Sequence, residues 1–205
     1  PHEFQEAPIR IFVMGANIWR DEYQWPLARA HSVKYYLHEG RRLSTECPRE
    51  AQSQDGYRYD PDNPVPTLGG NHSVGPYNPG LYDFVKPGPY DQRPIETRPD
   101  VMVYTSDVLA CDTEVTGPVT LKLYASSSAR DTDFVARLTD VYPDGRSMNI
   151  TEGVIRARFR EDVWGPPKLM EPGTVYAFTV DLQVTSNVFK KGHRIRLDIT
   201  SSSFP

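Results

Sequence analysis

The second half of the chain alternates apolar and polar residues over several short segments. From Asp100 onward, hydrophobic side chains recur at every second position in six stretches, 101–106, 119–125, 134–139, 155–160, 176–185 and 194–199. A period of two places the apolar side chains on one face of a strand and the polar ones on the other, as in antiparallel sheets with one face in water. Several such strands at short spacing predict a β-sandwich or barrel. No segment of this half has a helical period.

The first half of the chain gives fewer and shorter strand signals. We interpret residues 1–8 as the end of a linker from a preceding domain, and the apolar run 9–14 predicts a buried strand. Residues 32–37 and 42–45 are candidates for two further strands around a turn. Residues 48–99 are rich in Pro, Gly, Asp and Asn, so we expect a long loop region there. Loops of this length inside a compact domain are often functional.

Composition and charge exclude several classes of protein. The 205 residues, 38% hydrophobic and 24% charged, are sufficient for one all-β domain. The net charge of −4 shows no basic excess for nucleic acid, and no apolar run approaches the length needed to cross a bilayer. We therefore expect neither nucleic acid nor membrane as a partner. Two cysteines, Cys47 and Cys111, form by themselves neither a disulfide framework nor a zinc site.

The motifs of the common enzyme classes are absent from the sequence. It contains no G-x-S-x-G nucleophile elbow, phosphate-binding P-loop, dinucleotide fingerprint or H-E-x-x-H helix. His193, Asp198 and the Ser201–Ser203 run could be imagined as a catalytic triad. On a strand, however, two residues five positions apart lie on opposite faces, so we predict that His193 is not catalytic. We expect a chain that is not an enzyme by itself and needs no cofactor.

Three further groups of residues have alternative interpretations. Four aspartates, Asp131, Asp133, Asp140 and Asp144, could bind Ca²⁺, but strand-start and turn positions explain them better and we predict no metal site. The arginine stripe Arg156, Arg158 and Arg160 could bind an anion, but a solvated outer face or pairing with acidic side chains on a neighbouring strand is favoured. Seven aromatic residues, Trp19, Trp25, Tyr35, Tyr36, Tyr77, Tyr82 and Tyr90, could form a sugar-binding face, but packing under the long loops is favoured.

Motifs along nearly the whole chain resemble one family. They include residues 8–15 (PIRIFVMG), 59–70 (YDPDNPVPTLGG), 91–96 (DQRPIE), 140–145 (DVYPDG), 185–189 (TSNVF) and 201–205 (SSSFP). The sequence resembles the C-terminal domain of cocaine-esterase-like hydrolases, which X-prolyl dipeptidyl peptidases and α-amino-acid ester hydrolases share.

The resemblance implies a fold and a function. The fold is an all-β jelly roll (galactose-binding-like), an antiparallel β-sandwich with long loops over residues 9–205. Its partners would be an α/β-hydrolase domain and a helical cap, which carry the Ser-His-Asp triad, and a homo-oligomer is a further expectation. The domain would be the non-catalytic part of a serine hydrolase for esters or amides, supporting the fold and lining the substrate cleft. Because the family continues beyond the position of Pro205, we expect the last strand or strands of the sandwich to be missing.

The resemblance also points to one loop. In such relatives the loop after a double glycine, here Gly69 and Gly70, contributes to the acyl pocket, so the predicted pocket wall is Asn71, His72, Ser73 and Val74. Relatives carry bulky apolar residues at these positions, and the polar Asn-His-Ser run predicts a more polar pocket. The competing interpretation of the whole chain is a stand-alone carbohydrate- or ligand-binding β-sandwich module.

Overall fold

Strands dominate the computed structural model of the chain, which describes residues 7–49, 54–71 and 87–205. The strands are β1 (Ile9–Val13), β2 (Ile18–Glu22), β3 (Tyr36–His38), β4 (Arg42–Ser44), β5 (Met102–Thr105), β6 (Thr113–Ala125), β7 (Asp133–Val141), β8 (Ser147–Arg156), β9 (Tyr176–Phe189) and β10 (Arg194–Thr200). A four-residue helix, α1 (Arg93–Glu96), and two 3-10 turns, Glu39–Arg41 and Ala157–Phe159, complete the described secondary structure.

A six-stranded sheet forms the first layer, in the order β3-β4-β5-β10-β7-β8. Neighbouring strands are antiparallel except for a single parallel contact between β4 and β5. The central strand β10 pairs with β5 on one side and β7 on the other, so that Ile199 lies between Met102 and Ala136. The side chains of alternate residues in these strands point inward, which fits the predicted period of two.

The second layer is built on the long antiparallel pair β6–β9. Its inward side chains, among them Leu121, Phe178 and Val180, pack on those of the first layer in one continuous core. The rings of Phe134 and Phe178 meet across the layers with their centroids 4.7 Å apart. Burial of each such side chain stabilises the fold by about 1.5–3 kcal/mol. This architecture confirms the prediction of an all-β antiparallel sandwich.

A smaller apolar cluster lies on the outer face of the six-stranded sheet. Val65, Ile95 and Val101 are almost fully buried there, with Leu68 and Val103 beside them. Residues 54–71 and helix α1 therefore cover this face rather than project into solvent. The described parts of the predicted 48–99 loop region contain only isolated bridges and α1.

Three sequence predictions need correction. The predicted strand over 155–160 ends at Arg156, where the chain turns into the 3-10 turn Ala157–Phe159. The run 9–14 forms β1 but is not a buried strand, because of its five strand residues only Val13 is buried. Strand β2 and residues 147–154 of β8 were not predicted, since neither stretch has a clean apolar alternation. Where a preceding domain would end, and whether further strands complete the sandwich, stay predictions.

The two layers approach closely at Gly153 of β8. A Cβ atom added there would lie 1.9 Å from the carbonyl oxygen of Asp181 on β9. We predict that Gly153→Ala lowers the free energy of unfolding by at least about 2 kcal/mol, because neither backbone can retreat without disturbing its sheet. Urea unfolding checks this prediction. Gly56→Ala is the matched control, since a Cβ at Gly56 meets nothing within 4 Å, and equal effects of the two variants would contradict the prediction.

Candidate functional site

A short backbone bridge lies at Gly70, the residue before the predicted pocket wall. Gly70 and Gly88 exchange two hydrogen bonds, each 2.9 Å from nitrogen to oxygen. This antiparallel pair closes the base of the segment between them. We refer to Gly69, Gly70, Gly88, Tyr90, Gln92 and Asn149 as the loop anchor.

Glycine is required at the first position of the double glycine. Gly69 has a φ of +67°, and an added Cβ would lie 2.3 Å from the Gly88 carbonyl oxygen and 2.6 Å from the Tyr90 ring. Gly70 follows with a φ of +116°. Both torsions lie in the region that side chains with a Cβ rarely adopt. The double glycine therefore permits the tight approach of residues 69–70 to residues 88–90.

A buried amide network holds the loop anchor together. The Gln92 side chain is fully buried, and its amide nitrogen donates to the carbonyl oxygens of Leu68, at 2.8 Å, and Tyr90, at 2.9 Å. The Asn149 side-chain oxygen accepts from the Tyr90 backbone nitrogen at 2.6 Å. The Gln92 side-chain oxygen has no hydrogen-bond partner among the described residues. The bonds donated by its amide nitrogen still hold residues 68 and 90 together, because breaking one of them would leave a further polar group unpaired.

A β-bulge in the second layer also contacts the loop. Leu182 and Gln183 of β9 lie opposite the single residue Val119 of β6, where the register shifts. Gln183 has a φ of +65°, unusual for a residue with a side chain, and its backbone nitrogen donates to the Asp181 carboxylate at 2.8 Å. The Gln183 side-chain oxygen accepts from the Asn71 amide at 3.1 Å. The bulge thus directs Gln183 toward the first residue after the double glycine.

A second bulge lies in the first layer at Ile150 of β8. Thr139 pairs with Asn149 and Leu138 pairs with Thr151, so Ile150 has no partner on β7. Asn149 and Thr151 therefore lie on opposite faces of the sheet, although they are two positions apart. Asn149 faces the loop anchor, whereas the Thr151 hydroxyl donates inward to the carbonyl oxygen of Leu182 in the other bulge. The two bulges are thereby connected.

The structure places one of the four predicted pocket residues. Asn71 is exposed and bound to Gln183, while His72, Ser73 and Val74 lie outside the described residues. Their role in a pocket wall stays a prediction. The sequence had indicated Gln92 through the motif at 91–96, but Asn149 and Gln183 carry no signal, because two bulges bring them to the loop.

The imagined triad does not exist in the structure. The His193 side chain is bound through Nδ1 to Asp140 Oδ1 at 2.8 Å, and its ring packs on Tyr142. Burial raises the pKa of Asp140, and the bond to His193 opposes that rise. Asp198 instead lies opposite Arg137 on the outer face of the sheet, as the strand argument predicts.

The hydroxyls of the serine run have structural partners. Ser201 shares a hydrogen bond with the Tyr57 hydroxyl, at 2.8 Å, and Ser202 accepts from the Val65 nitrogen at 2.9 Å. Ser203 bonds to Thr67 at 3.0 Å. The three serines line a cleft of about 600 Å³, but these hydrogen bonds join them to Tyr57, Val65 and Thr67 and not to a histidine that could act as a base.

The candidate calcium ligands are separated by their own partners. Asp131 pairs with Arg158, Asp133 with Arg156, Asp140 with His193 and Asp144 with Arg146. No group of three or more metal-ligating side chains occurs within residues 7–49, 54–71 and 87–205. The first two pairs also confirm that Arg156 and Arg158 of the arginine stripe are neutralised by neighbouring acidic residues. In the same ranges, no helix is long and apolar enough to cross a bilayer.

Comparison with known proteins identifies the family. The sequence model of one protein family, the X-Pro dipeptidyl-peptidase C-terminal non-catalytic domain, matches residues 2–205. The chain belongs to this family. It is 44% identical to the cocaine esterase of Rhodococcus sp. (strain MB1 Bresler) over 96% of its own length and 34% of that protein. It is 32% identical to a putative serine esterase of Mycobacterium tuberculosis (strain CDC 1551 / Oshkosh), over 96% of the chain and 32% of that protein.

Solved structures agree with the family assignment. An α-amino acid ester hydrolase superimposes with a TM-score of 0.85 at 29% identity, over 97% of this domain and 34% of that chain. An aminopeptidase from the marine sediment archaeon Thaumarchaeota archaeon also superimposes with a TM-score of 0.85 at 29% identity, over 98% of this domain and 34% of that chain. The domain thus spans about a third of the length of these relatives, which contain additional domains. The family resemblance of the motifs is confirmed.

The buried carboxyl group of Asp198 forms no ion pair or hydrogen bond with a basic side chain among the described residues. Asp198 is 1% exposed, and neither carboxyl oxygen has a hydrogen-bond partner among the described residues. Burial, with the nearby charge of Glu96, raises the pKa of Asp198 to about 8, although Arg137 and Arg196 oppose the rise. Asp198 is therefore mostly protonated at neutral pH. Uncharged, it avoids most of the desolvation cost of a buried carboxylate.

Asp198 should make the stability of the domain depend on pH. Between its usual pKa of 3.8 and the folded value of about 8, the unfolded chain loses the proton and the folded domain keeps it. The free energy of unfolding therefore falls as pH rises through this range. We predict that Asp198→Asn raises it at pH 8 by on the order of 2 kcal/mol and has less effect at pH 4. Urea unfolding at pH 8 and pH 4 tests this prediction, with Asp62→Asn at an exposed position as the control. An equal effect of Asp198→Asn at the two pH values would contradict it.

The loop anchor gives a second prediction. Gly40 has a φ of +69°, close to that of Gly69, but an added Cβ there meets nothing within 4 Å. Gly40→Ala should therefore cost only the backbone strain, about 1–2 kcal/mol. Gly69→Ala should cost more than this and should expose the amides of Gly70 and Gly88 to hydrogen exchange. Equal losses in the two variants, with exchange unchanged, would show that the anchor does not need the close approach.

Proposed function

We propose that this domain is the accessory part of a serine hydrolase that acts on esters or amides, and that its loop after Gly70 lines the substrate cleft. Relatives that share the domain carry names of esterases, an ester hydrolase and an aminopeptidase. Each acts on an acyl bond. The nucleophile, base and oxyanion hole would lie in an α/β-hydrolase domain and its helical cap, as partners within the same polypeptide.

The support for a cleft-lining loop comes from the loop anchor. A bulge in each layer directs one side chain toward the loop, Asn149 and Gln183, and the bulges are connected through Thr151. Bulges are over-represented next to active sites, where they re-aim side chains. A site that faces substrate must also be held by residues whose own positions are fixed. The buried amide network around Gln92 supplies this support at the loop base.

The residues of the proposed wall favour a polar acyl group. Asn71, His72 and Ser73 offer hydrogen-bond donors and acceptors where an apolar wall would offer none. A buried polar wall left without partners by an alkyl acyl group is unfavourable, because each unpaired group costs about 1–3 kcal/mol. The loop residues would act by recognition and exclusion of water. The acyl-enzyme chemistry would be that of the hydrolase domain.

The stand-alone binding module has less support. Of the seven candidate aromatic residues, Trp19 packs edge-on against Phe12, and Tyr90 is part of the loop anchor beside Gly69, so the two rings lie on separate parts of the fold. Tyr77 and Tyr82 lie outside the described residues. A sugar platform needs rings that face one ligand, and no such arrangement is among the contacts described.

The proposed wall predicts a change of substrate selectivity. In the protein that contains the hydrolase portion, Asn71→Ala should change the ratio of kcat/KM for a hydroxylated and an alkyl acyl ester by about tenfold in favour of the alkyl ester, equivalent to about 1.4 kcal/mol. Steady-state kinetics on matched p-nitrophenyl esters measures this ratio. Lys122→Ala on the outer face of β6 is the control and should leave the ratio unchanged. A ratio unaltered by Asn71→Ala would overturn the assignment of Asn71 to the cleft.

A further inference from the structure

The hairpin β1–β2 has one attached and one open face. Its register pairs Phe12 with Trp19 and Arg10 with Asp21 on the open face. Phe12 is 40% exposed and Trp19 is 62% exposed, with Met14 at 36% beside them. Val13, on the other face, is 1% exposed. Ile18, which pairs with Val13 near the turn, is 52% exposed, whereas Glu22 at the other end of the same face is buried. The open face therefore presents two aromatic rings to solvent, while the opposite face is packed at Val13 and Glu22.

The hairpin is held firmly to the sandwich at its turn. The Met14 nitrogen donates to the Ser186 carbonyl at 2.9 Å, and the Val188 nitrogen donates back to the Met14 carbonyl at 2.8 Å. A Cβ added at Gly15 would lie 2.2 Å from the Val188 carbonyl oxygen. This contact joins β1 to β9, so the open face has a fixed orientation on the domain.

A charged contact fixes the second strand of the hairpin. Arg20 donates two hydrogen bonds to the Glu114 carboxylate on β6, at 2.9 and 2.6 Å. This pairing lowers the pKa of Glu114 to about 2. Bidentate arginine–carboxylate pairs fix orientation as well as distance. The hairpin is therefore attached to both long strands of the second layer and is organised before any partner binds.

The open face has the composition of an interface. Phe12 and Trp19 pack edge to face with ring centroids 5.3 Å apart, and the Arg10 guanidinium lies 5.7 Å from the centroid of the Trp19 ring. Arg10 also pairs with Asp21 at 3.6 Å. An aromatic centre beside an arginine, with charged groups at the rim, is typical of the energetically dominant part of protein interfaces. Exposed apolar patches rimmed by polar residues mark such sites.

We propose that the open face of the β1–β2 hairpin, made by Phe12, Met14 and Trp19, docks against the hydrolase portion of the same polypeptide. This inference rests on the proposed function, because it needs that portion to exist. The relatives are about three times as long as the domain they share with this chain, so most of a relative's surface belongs to other domains. A family of C-terminal domains receives the preceding chain at its first strand, which is β1. Chain connectivity brings that partner to the hairpin at high effective concentration, which favours it over a second copy.

Footprinting tests the docking surface directly. Hydroxyl-radical labelling with mass spectrometry would compare the 205-residue chain with the protein that contains the hydrolase portion. We expect labelling of Trp19 to fall at least fivefold in the longer protein. Trp164, which is 94% exposed on another part of the domain, serves as the reference and should change less than Trp19. Equal labelling of Trp19 in both proteins would overturn the proposal, and so would protection in the short chain that grows with its concentration, which indicates a second copy.

Matched variants provide a test that does not depend on labelling. Trp19→Ser removes the centre of the face, and Tyr124→Ser removes a 75% exposed ring on β6. Both should change the Tm of the 205-residue chain little. In the longer protein Trp19→Ser should lower the Tm by several degrees more than Tyr124→Ser. Equal shifts would contradict the proposal. Neither readout uses catalysis, so a failure here is distinguishable from a failure of the cleft assignment, which the acyl-ester ratio reports.

Discussion

The close approach of β8 to β9 is the constraint on which the rest of the structure depends. Gly153 leaves no room for a Cβ against the Asp181 carbonyl, and two positions earlier the Thr151 hydroxyl donates to the Leu182 carbonyl. These contacts join the edge of one layer to a long strand of the other. Both bulges lie at this junction. The packing of the core and the position of the loop anchor therefore depend on the same junction.

Polar burial on the outer face of the six-stranded sheet complements this junction. Arg137 pairs with Glu152 on the neighbouring strand β8, and Arg196 pairs with Glu96 at the end of α1, while the Val65 nitrogen of the covering segment 54–71 donates to the Ser202 hydroxyl. Removing one partner of such a pair would leave a buried charge, which is strongly unfavourable. The covering segment and α1 are thus tied to the sheet by specific bonds as well as by the Val65 cluster. They hold the described residues on either side of the loop in one arrangement.

The sequence predicts the strands whose apolar residues alternate. Strands β5, β6, β7, β9 and β10 coincide with the predicted segments, because each buries alternate side chains in one core. Strand β8 escapes prediction because Ser147, Asn149 and Thr151 are buried polar residues whose partners lie far away in sequence. The β1 run looks like a buried strand by composition, yet Phe12 is open to solvent in this chain. Composition cannot distinguish a core strand from one that exposes part of its apolar side chains.

The loop anchor also combines residues that the sequence indicates with residues that only the structure reveals. The double glycine and Gln92 belong to motifs that the sequence displays, whereas Asn149 and Gln183 reach the loop only because each of two strands has a register shift. A shift of one residue exchanges the faces of a strand, and nothing in a local pattern of residues specifies where it occurs. Fold class and family could therefore be predicted from the sequence, while the support of the loop required the structure.

We propose that the domain contributes to a serine hydrolase without holding its nucleophile. A fluorophosphonate, which bonds covalently to activated serines, can be added to the 205-residue chain and to the longer protein, and the intact masses measured. We expect one adduct on the longer protein, mapped outside these 205 residues, and none on the chain alone. A stoichiometric adduct on a serine of the chain, such as Ser201, would contradict it.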